Sequence, residues 1–432
     1  MADDMCGRTA QRASRLAAVL VLVTSACGSS RSAPAPQPEA GPPVEGGSMT
    51  DGAGSDAGAP DASATDGAFR EAPHAPLPIV PNNGGPILAA PKLVTIVYAG
   101  FAESATMSAF GDWIVGSSWV TTVGHDYGVG PGSHVTHVVL PGPAPAQVSD
   151  LDVQALLESK LGDGTLPSAA GADAGGVAGA DAGDGEYLYM IFYPASTQTA
   201  SFLDGPSTCT QQSATSFIGG YHWETESGAY HVPYAVIPTC SSGSLVEGAS
   251  DLEASASHEF IEAATDPFPE SAVAYGLIDP TDPWVYTAGE VADLCEGLTT
   301  QEASFTAQRV WSNSAAAAGT SPCVPASSEP FYDVSPSPSQ TQVIAAGAHV
   351  TFTLTGFSTS AVAPWALTLF PGPSSFTPTT VLGASMINNG QTTTLTLSVP
   401  AGTPSNGYAA IFVTSSRSAA DFTYWPIAVT VP

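Results

Sequence analysis

Period-two alternation of apolar and polar residues dominates the C-terminal quarter of the chain. In VTFTLTGF, Val350, Phe352 and Leu354 fall on one face of a strand and threonines on the other, and TTTLTLSV repeats the arrangement with Leu395, Leu397 and Val399. Asn389-Gly390 and Asn406-Gly407 mark turns between such runs. Residues 326–432 therefore predict an all-β sandwich of immunoglobulin-like type. Upstream, over 79–325, the texture differs. LVTIVYAG from Leu93 and EYLYMIFY from Glu186 read as buried strands, and they alternate with helical patterns at Val153 to Leu161 and at Ser250 to Asp266. Ser250 and Glu253 have capping-box spacing at the start of the second helix, and Pro267 stops it. An α/β or α+β domain is expected there.

Two stretches bury almost nothing. DGAGSDAGAPDASATDGA (Asp51 to Ala68) typifies residues 27–78, which predict a disordered tether, and SAAGADAGGVAGADAGDG (168–185) predicts a low-complexity surface loop. At the N-terminus, Arg8, Arg12 and Arg15 precede LAAVLVLV and then TSAC ending at Cys27. That is the layout of a bacterial lipoprotein leader over 1–26 with Cys27 lipidated, and it places the chain in the cell envelope, lipid-anchored or secreted. The apolar run is too short to span a bilayer. Without that leader, 37 acidic residues face six basic ones, and Lys92 and Lys160 are the only lysines. A surface this negative repels phosphate backbones and argues against a nucleic-acid partner. Cys209, Cys240, Cys295 and Cys323 remain, an even number suited to disulfides; three pairings exist, and Cys209–Cys240 with Cys295–Cys323 is the one expected.

The chemistry concentrates in ASASHEFIEAATDP. His258 and Glu262 stand one helical turn apart on one face, a spacing that lets both reach one metal ion, with Glu259 beside them. This is the zincin pattern HExxH with glutamate in place of the second histidine. GEVADLCEG (289–297) predicts a second helix offering Glu290 as third ligand. Asp293 either shares the metal or orients His258 through its other ring nitrogen. Asp266 is a further candidate for orienting a ligand, and His231, Tyr234 and His222 are candidates to stabilise an oxyanion. Zinc is the expected ion because of His258, with calcium or manganese as the alternatives in so carboxylate-rich a set. Glu259 is the expected general base. His74, His125, His134, His137 and His349 receive no role. No G-x-S-x-G nucleophile elbow occurs.

GGYHWE (219–224), YHVPYAVIPTC (230–240), SHEFIEAATDP (257–267) and GEVADLCEG, in that order, resemble the plant EXORDIUM or phosphate-induced protein 1 family and its bacterial relatives. The likeness covers about half of the chain. It implies a secreted protein with a metal site at His258, Glu262, Glu290 and Asp293, in a family linked to growth rather than to a settled reaction. The expectation is a surface-anchored, metal-dependent, peptidase-like hydrolase that uses a water activated by the cation, acting on an extracellular peptide or glycan. The alternative is a non-catalytic surface protein with a structural metal and a glycan- or protein-binding sandwich.

Overall fold

The computed structural model describes residues 69–167, 186–199, 208–209, 219–227, 230–240, 248–418 and 421–432. The expected leader, Cys27, the tether up to 68 and the low-complexity loop lie outside them. The described chain is mostly β with few helices. Strands β1 (Lys92–Tyr98), β2 (Ser133–Leu140), β3 (Tyr187–Tyr193), β4 (Tyr221–Ser227) and β5 (Tyr230–Pro238) form one sheet in the order β2-β1-β3-β5-β4. All neighbours are parallel except β4, which runs antiparallel to β5 at the edge. β1 and β3 read as near-continuous apolar runs because helices cover both faces of the sheet. Side-chain parity decides which face each residue serves. Leu93, Val97, Met190, Phe192, Ala235 and Ile237 pack with residues of α1 (Ser104–Ile114), α2 (Ser118–Val123) and α4 (Ala249–Thr265). Val94, Ile96, Tyr189, Ile191, Tyr234 and Val236 face the other way, onto Val153 and Leu157 of α3 (Asp150–Gly162).

α4 is buried along almost its whole length. Small residues such as Ala256, Ala263 and Ala264 let the sheet approach it closely, and a hairpin of β6 (Thr299–Glu302) and β7 (Phe305–Gln308) packs against it. The segment between α4 and this hairpin closes over the helix. It is fastened by the Cys295–Cys323 disulfide, and Cys209 is joined to Cys240, the pairing expected from the sequence. Two disulfides fit an oxidising compartment. Among the described residues no helix is long and apolar enough to cross a membrane.

The C-terminal part is sandwich-like. One sheet has the order β8 (Tyr332–Ser337), β9 (His349–Ser358), β12 (Thr392–Ser398), β11 (Thr379–Leu382). The other places β13 (Tyr408–Ser418) between β10 (Trp365–Ser374) and β14 (Asp421–Thr430), with short strands at both edges. The alternating residues Phe352, Leu354, Leu395 and Leu397 of the first sheet meet Leu367, Val413, Trp425 and Ile427 of the second. This core continues into the helix-bearing layer through Trp284, which lies 5.2 Å from Trp311 and 5.6 Å from Trp425 between ring centres.

Three local expectations differ from what is observed. α4 starts at Ala249 with Gly248 as N-cap, and Glu253 does not close a capping box, because its Oε2 accepts instead from the Thr306 amide at 2.9 Å and ties down the hairpin. GEVADLCEG is not a second helix but a loop with one 3-10 turn, Asp293–Cys295. Its flanks explain why: Ala288, Gly289 and Gly297 all take positive φ, and a side chain at Gly289 would run into the Leu277 carbonyl at 2.8 Å. Residues 69–78 do not continue a tether. Ala72 donates to Asn389 Oδ1, Ala75 donates to Ser335 Oγ, and His74 stacks on Phe357, so this stretch lies along the sandwich.

Candidate metal centre

The buried face of α4 carries His258, Glu259 and Glu262, which are 3%, 2% and 1% exposed, and charged groups are hidden to that degree only when they are paired or bind a cation. Their partners come from three other segments. Asp293, in the 3-10 turn, puts Oδ1 3.6 Å from His258 Nε2, and Glu262 Oε2 is 3.0 Å from the same nitrogen. The turn is held in place by the Asp293 amide, which donates to Glu262 Oε1, and by the Glu290 amide, which donates to Asp293 Oδ2, each at 3.2 Å. β14 of the sandwich reaches the same turn, since the Tyr424 hydroxyl donates to the Asp293 carbonyl at 2.5 Å and accepts from the Glu296 amide at 3.2 Å.

Gln308, at the end of β7, sets the tautomer of His258. Its Nε2 donates to the Ala292 carbonyl at 2.8 Å, and a carbonyl can only accept, so its Oε1 faces His258 Nδ1 at 3.0 Å. That oxygen requires a proton on Nδ1 and leaves Nε2 as the lone-pair nitrogen of the neutral ring, turned toward Glu262 and Asp293. Glu296 Oε2 lies 3.3 Å from the same Nδ1.

β4 brings in His222. It pairs with Ala235 on the helix-facing side of the sheet and stands against the cluster, with Nδ1 3.6 Å from Glu259 Oε2 and 3.7 Å from Glu262 Oε2, and Nε2 3.4 Å from Glu290 Oε1. Gly220 lies close beside it, and a Cβ there would stand 2.9 Å from Glu259 Oε1, so a larger residue would have to displace that carboxylate. Burial opposes charge on the His222 ring, but Glu290, Glu259 and Glu262 outweigh it and hold its pKa up at about 10. His258 is raised for the same reason, chiefly by Glu262 against the effect of burial. Burial pushes Glu259, Glu290 and Asp293 upward. Without a cation the cluster therefore keeps protons that surface groups would have lost.

The arrangement fits a metal ion on geometry that does not depend on those pKa values. His258 Nε2 and His222 Nε2 are buried ring nitrogens without a hydrogen-bond partner, although carboxylate oxygens stand at 3.0 and 3.4 Å. Two ligand atoms each about 2.0–2.1 Å from zinc at tetrahedral angles are roughly 3.3–3.4 Å apart. The 3.0 and 3.6 Å separations around His258 bracket that value.

Of the residues singled out from the sequence, His258, Glu259, Glu262, Glu290 and Asp293 come together. Glu290 does so on His222 rather than on His258. Asp266 supports the loop after α4, with Oδ1 accepting from the Ala274 amide at 2.8 Å, and burial lifts its pKa to about 6. The oxyanion candidates lie elsewhere. Tyr234 has the opposite parity to Ala235, and its hydroxyl donates to Asp150 Oδ1 at 2.7 Å across the far face of the sheet. His231 shares the parity of Ala235 but sits four residues, roughly 13 Å, along the strand, where it meets Glu224 at 3.2 Å and Phe268. His222, named only as an oxyanion candidate, stands inside the cluster with Glu259 and Glu262, and Glu296 and Gln308 were missed. Away from the centre, Asp112, His134, Thr95, His137 and Ser104 form a hydrogen-bonded chain that fastens β2 to β1 and α1.

No family model matches the chain, and no curated protein matches it. Solved structures match parts of it. Domains 4 and 5 of the S-layer protein SbsC align at 20% identity over 24% of this chain and 54% of theirs, TM-score 0.17. A Bacteroides ovatus GH5 xyloglucanase in complex with a XXXG heptasaccharide aligns at 14% identity over 24% of this chain and 19% of that one, TM-score 0.17. WR4, a C. elegans MSP family member, aligns at 12% identity over 23% of this chain and 97% of that one, TM-score 0.18. This chain thus spans about half the length of the S-layer fragment, and none of these likenesses bears on the centre.

Proposed function

We propose that the protein is an exported, metal-dependent hydrolase of zincin-like type, peptidase-like in its chemistry, in which His258, Glu262 and Asp293 hold a divalent cation, zinc first and manganese or calcium next. The observation that carries this reading is His258 Nε2, buried, without a hydrogen-bond partner and faced by the carboxylates of Glu262 at 3.0 Å and Asp293 at 3.6 Å. The bound ion would supply Lewis acidity toward a carbonyl and toward water. The protein's own part is to position and to move a proton. Gln308 keeps the proton of His258 on Nδ1, and Glu259, whose carboxyl pKa is raised by burial, is the proton acceptor. Glu290 and Glu296, with side chains 17% and 12% exposed, are the members nearest solvent and mark the side from which an extracellular peptide or glycan approaches. Kinship with the EXORDIUM family belongs to the same proposal. It is supported by the convergence of three of the four resembling motifs on this one cluster, through His222, through His258 with Glu262, and through Glu290 with Asp293.

The depth of the centre favours a second reading, in which the cation is structural and the sandwich does the binding. Structural metal sites are closed, whereas catalytic ones keep an open position. Glu259→Gln separates the two. Metal retained at the His258, Glu262 and Asp293 position with hydrolysis of a casein or peptide panel lost supports the hydrolase. A wild type that holds metal at that position and hydrolyses nothing supports the structural reading.

A further inference from the structure

Glu262 has ligating partners on both of its sides. His258 Nε2, Glu262 and Asp293 form one group whose ligand atoms lie within 4.8 Å of one another, and His222, Glu259 and Glu262 form another. The same atom, Glu262 Oε2, is 3.0 Å from His258 Nε2 and 3.7 Å from His222 Nδ1. The two groups come from different places, one from α4 and the 3-10 turn, the other from α4 and the edge strand β4. We infer that the cluster holds two divalent cations, with Glu262 as the shared carboxylate, the second position being built by His222 and Glu259.

Two observations carry this beyond the first position, on which it rests. The first concerns His222, which is 4% exposed and turns Nδ1 toward Glu259 Oε2 at 3.6 Å and Glu262 Oε2 at 3.7 Å, while Nε2, without a hydrogen-bond partner, faces Glu290 Oε1 at 3.4 Å. Nothing in a site at His258, Glu262 and Asp293 requires an imidazole there, and a buried ring walled by three carboxylates is matched to a cation rather than to packing. The second is charge. Glu259, Glu262, Glu290, Asp293 and Glu296 all stand within ion-pair distance of these two imidazoles. If bound ions displace the protons that the cluster otherwise keeps, one divalent ion leaves three of the five carboxylate charges uncompensated in a buried site, whereas two ions leave one. One imidazole with several carboxylates is a hard donor set, so the second position accepts manganese as well as zinc. Two ions sharing a carboxylate sit about 3.5–4 Å apart in hydrolytic centres, and each stabilises one oxygen of the displacement. In that setting Glu259 ligates through one oxygen, and its substitution changes metal content as well as proton transfer.

The test is metal stoichiometry on the full exported chain. Protein stripped with chelator is loaded with Mn2+ alone, passed through gel filtration, and analysed for bound metal and by electron paramagnetic resonance. Two equivalents per chain with an exchange-coupled spectrum are expected, and His222→Ala should hold one equivalent with the spectrum of isolated Mn2+. Should His222→Ala fail to fold, Glu259→Gln is the substitute, and the wild-type spectrum decides in either case. One equivalent in the wild type, or two that show no coupling, overturns the second position while leaving the first intact. No bound metal overturns both.

Discussion

Replacing Gln308 by methionine removes the group that fixes the His258 tautomer while keeping side-chain length and an apolar interior. Two hydrogen bonds go, at 3.0 Å to His258 Nδ1 and 2.8 Å to the Ala292 carbonyl, in a residue 3% exposed. Removing an outer partner of a metal-bound histidine typically weakens metal binding about 10- to 100-fold, or about 1.4–2.8 kcal/mol. Here Glu296 Oε2, 3.3 Å from the same Nδ1, remains as a second acceptor, which places Gln308→Met at the weak end, about tenfold. Adding Glu296→Gln turns a carboxylate acceptor into a weaker amide, and the pair should lose about 100-fold, with the two changes coupled because they share one proton. Zn2+ affinity is read by competition with a chromophoric chelator at fixed pH, and circular dichroism establishes that each variant is folded. If the double variant binds zinc within twofold of wild type, His258 Nδ1 is not held by these groups and the orientation argued for Nε2 is wrong.

Other outcomes follow from the same geometry. Tyr424→Phe, which frees the Asp293 carbonyl and the Glu296 amide, should weaken zinc binding by about tenfold although the residue lies in the sandwich, as chelator competition would show. Tyr234→Phe should cost about 1.5–3 kcal/mol in urea unfolding through loss of a bond to the buried Asp150 carboxylate, yet leave metal content unchanged. Asp333, buried in β8 and bonded to Ser415 Oγ and the Val334 amide, has its pKa raised by burial to about 7. Because the folded state holds the proton more tightly than the unfolded chain, this group's stabilisation is complete below about pH 4 and is lost as pH rises to 7, by about 4 kcal/mol at 1.36 kcal/mol per decade. Asp333→Asn should remove that slope and unfold at a higher temperature than wild type at pH 8, measured by calorimetry.

The helix part of the cluster was legible because His258 and Glu262 obey a local rule, one turn on one face, that survives any tertiary arrangement. The sandwich was legible for a similar reason, since alternation in runs such as TTTLTLSV is set by the strand itself. What the sequence hid is non-local. Glu290 and Asp293 were identified by type and distance in the chain, but the expected helix gave way to a loop at residues of positive φ, and in that loop Glu290 turned to His222. His222 could have been found from the parity of YHWE against YAV, which puts it on the same side as Ala235 and away from Tyr234, but only once the pairing of β4 with β5 was known. Gln308 lies in no motif, and Glu296, though inside GEVADLCEG, has no spacing that marks it as a partner of His258. Their roles come from a hairpin and a disulfide-fastened turn meeting one imidazole, which no spacing rule encodes. The short segment 69–78 was misread because its Pro- and Ala-rich composition resembles the tether, while Ala72 and Leu77 find a pre-formed apolar surface.

The central claim is that a buried imidazole and carboxylates from α4 and the turn after it grip one divalent cation. Anomalous diffraction at the zinc edge, on crystals of the protein grown with one equivalent of Zn2+, tests it most directly. The account predicts a peak about 2.0–2.2 Å from His258 Nε2 and from carboxylate oxygens of Glu262 and Asp293. A peak confined to the acidic surface, with His258 Nε2 instead donating a hydrogen bond to Glu262, would contradict it.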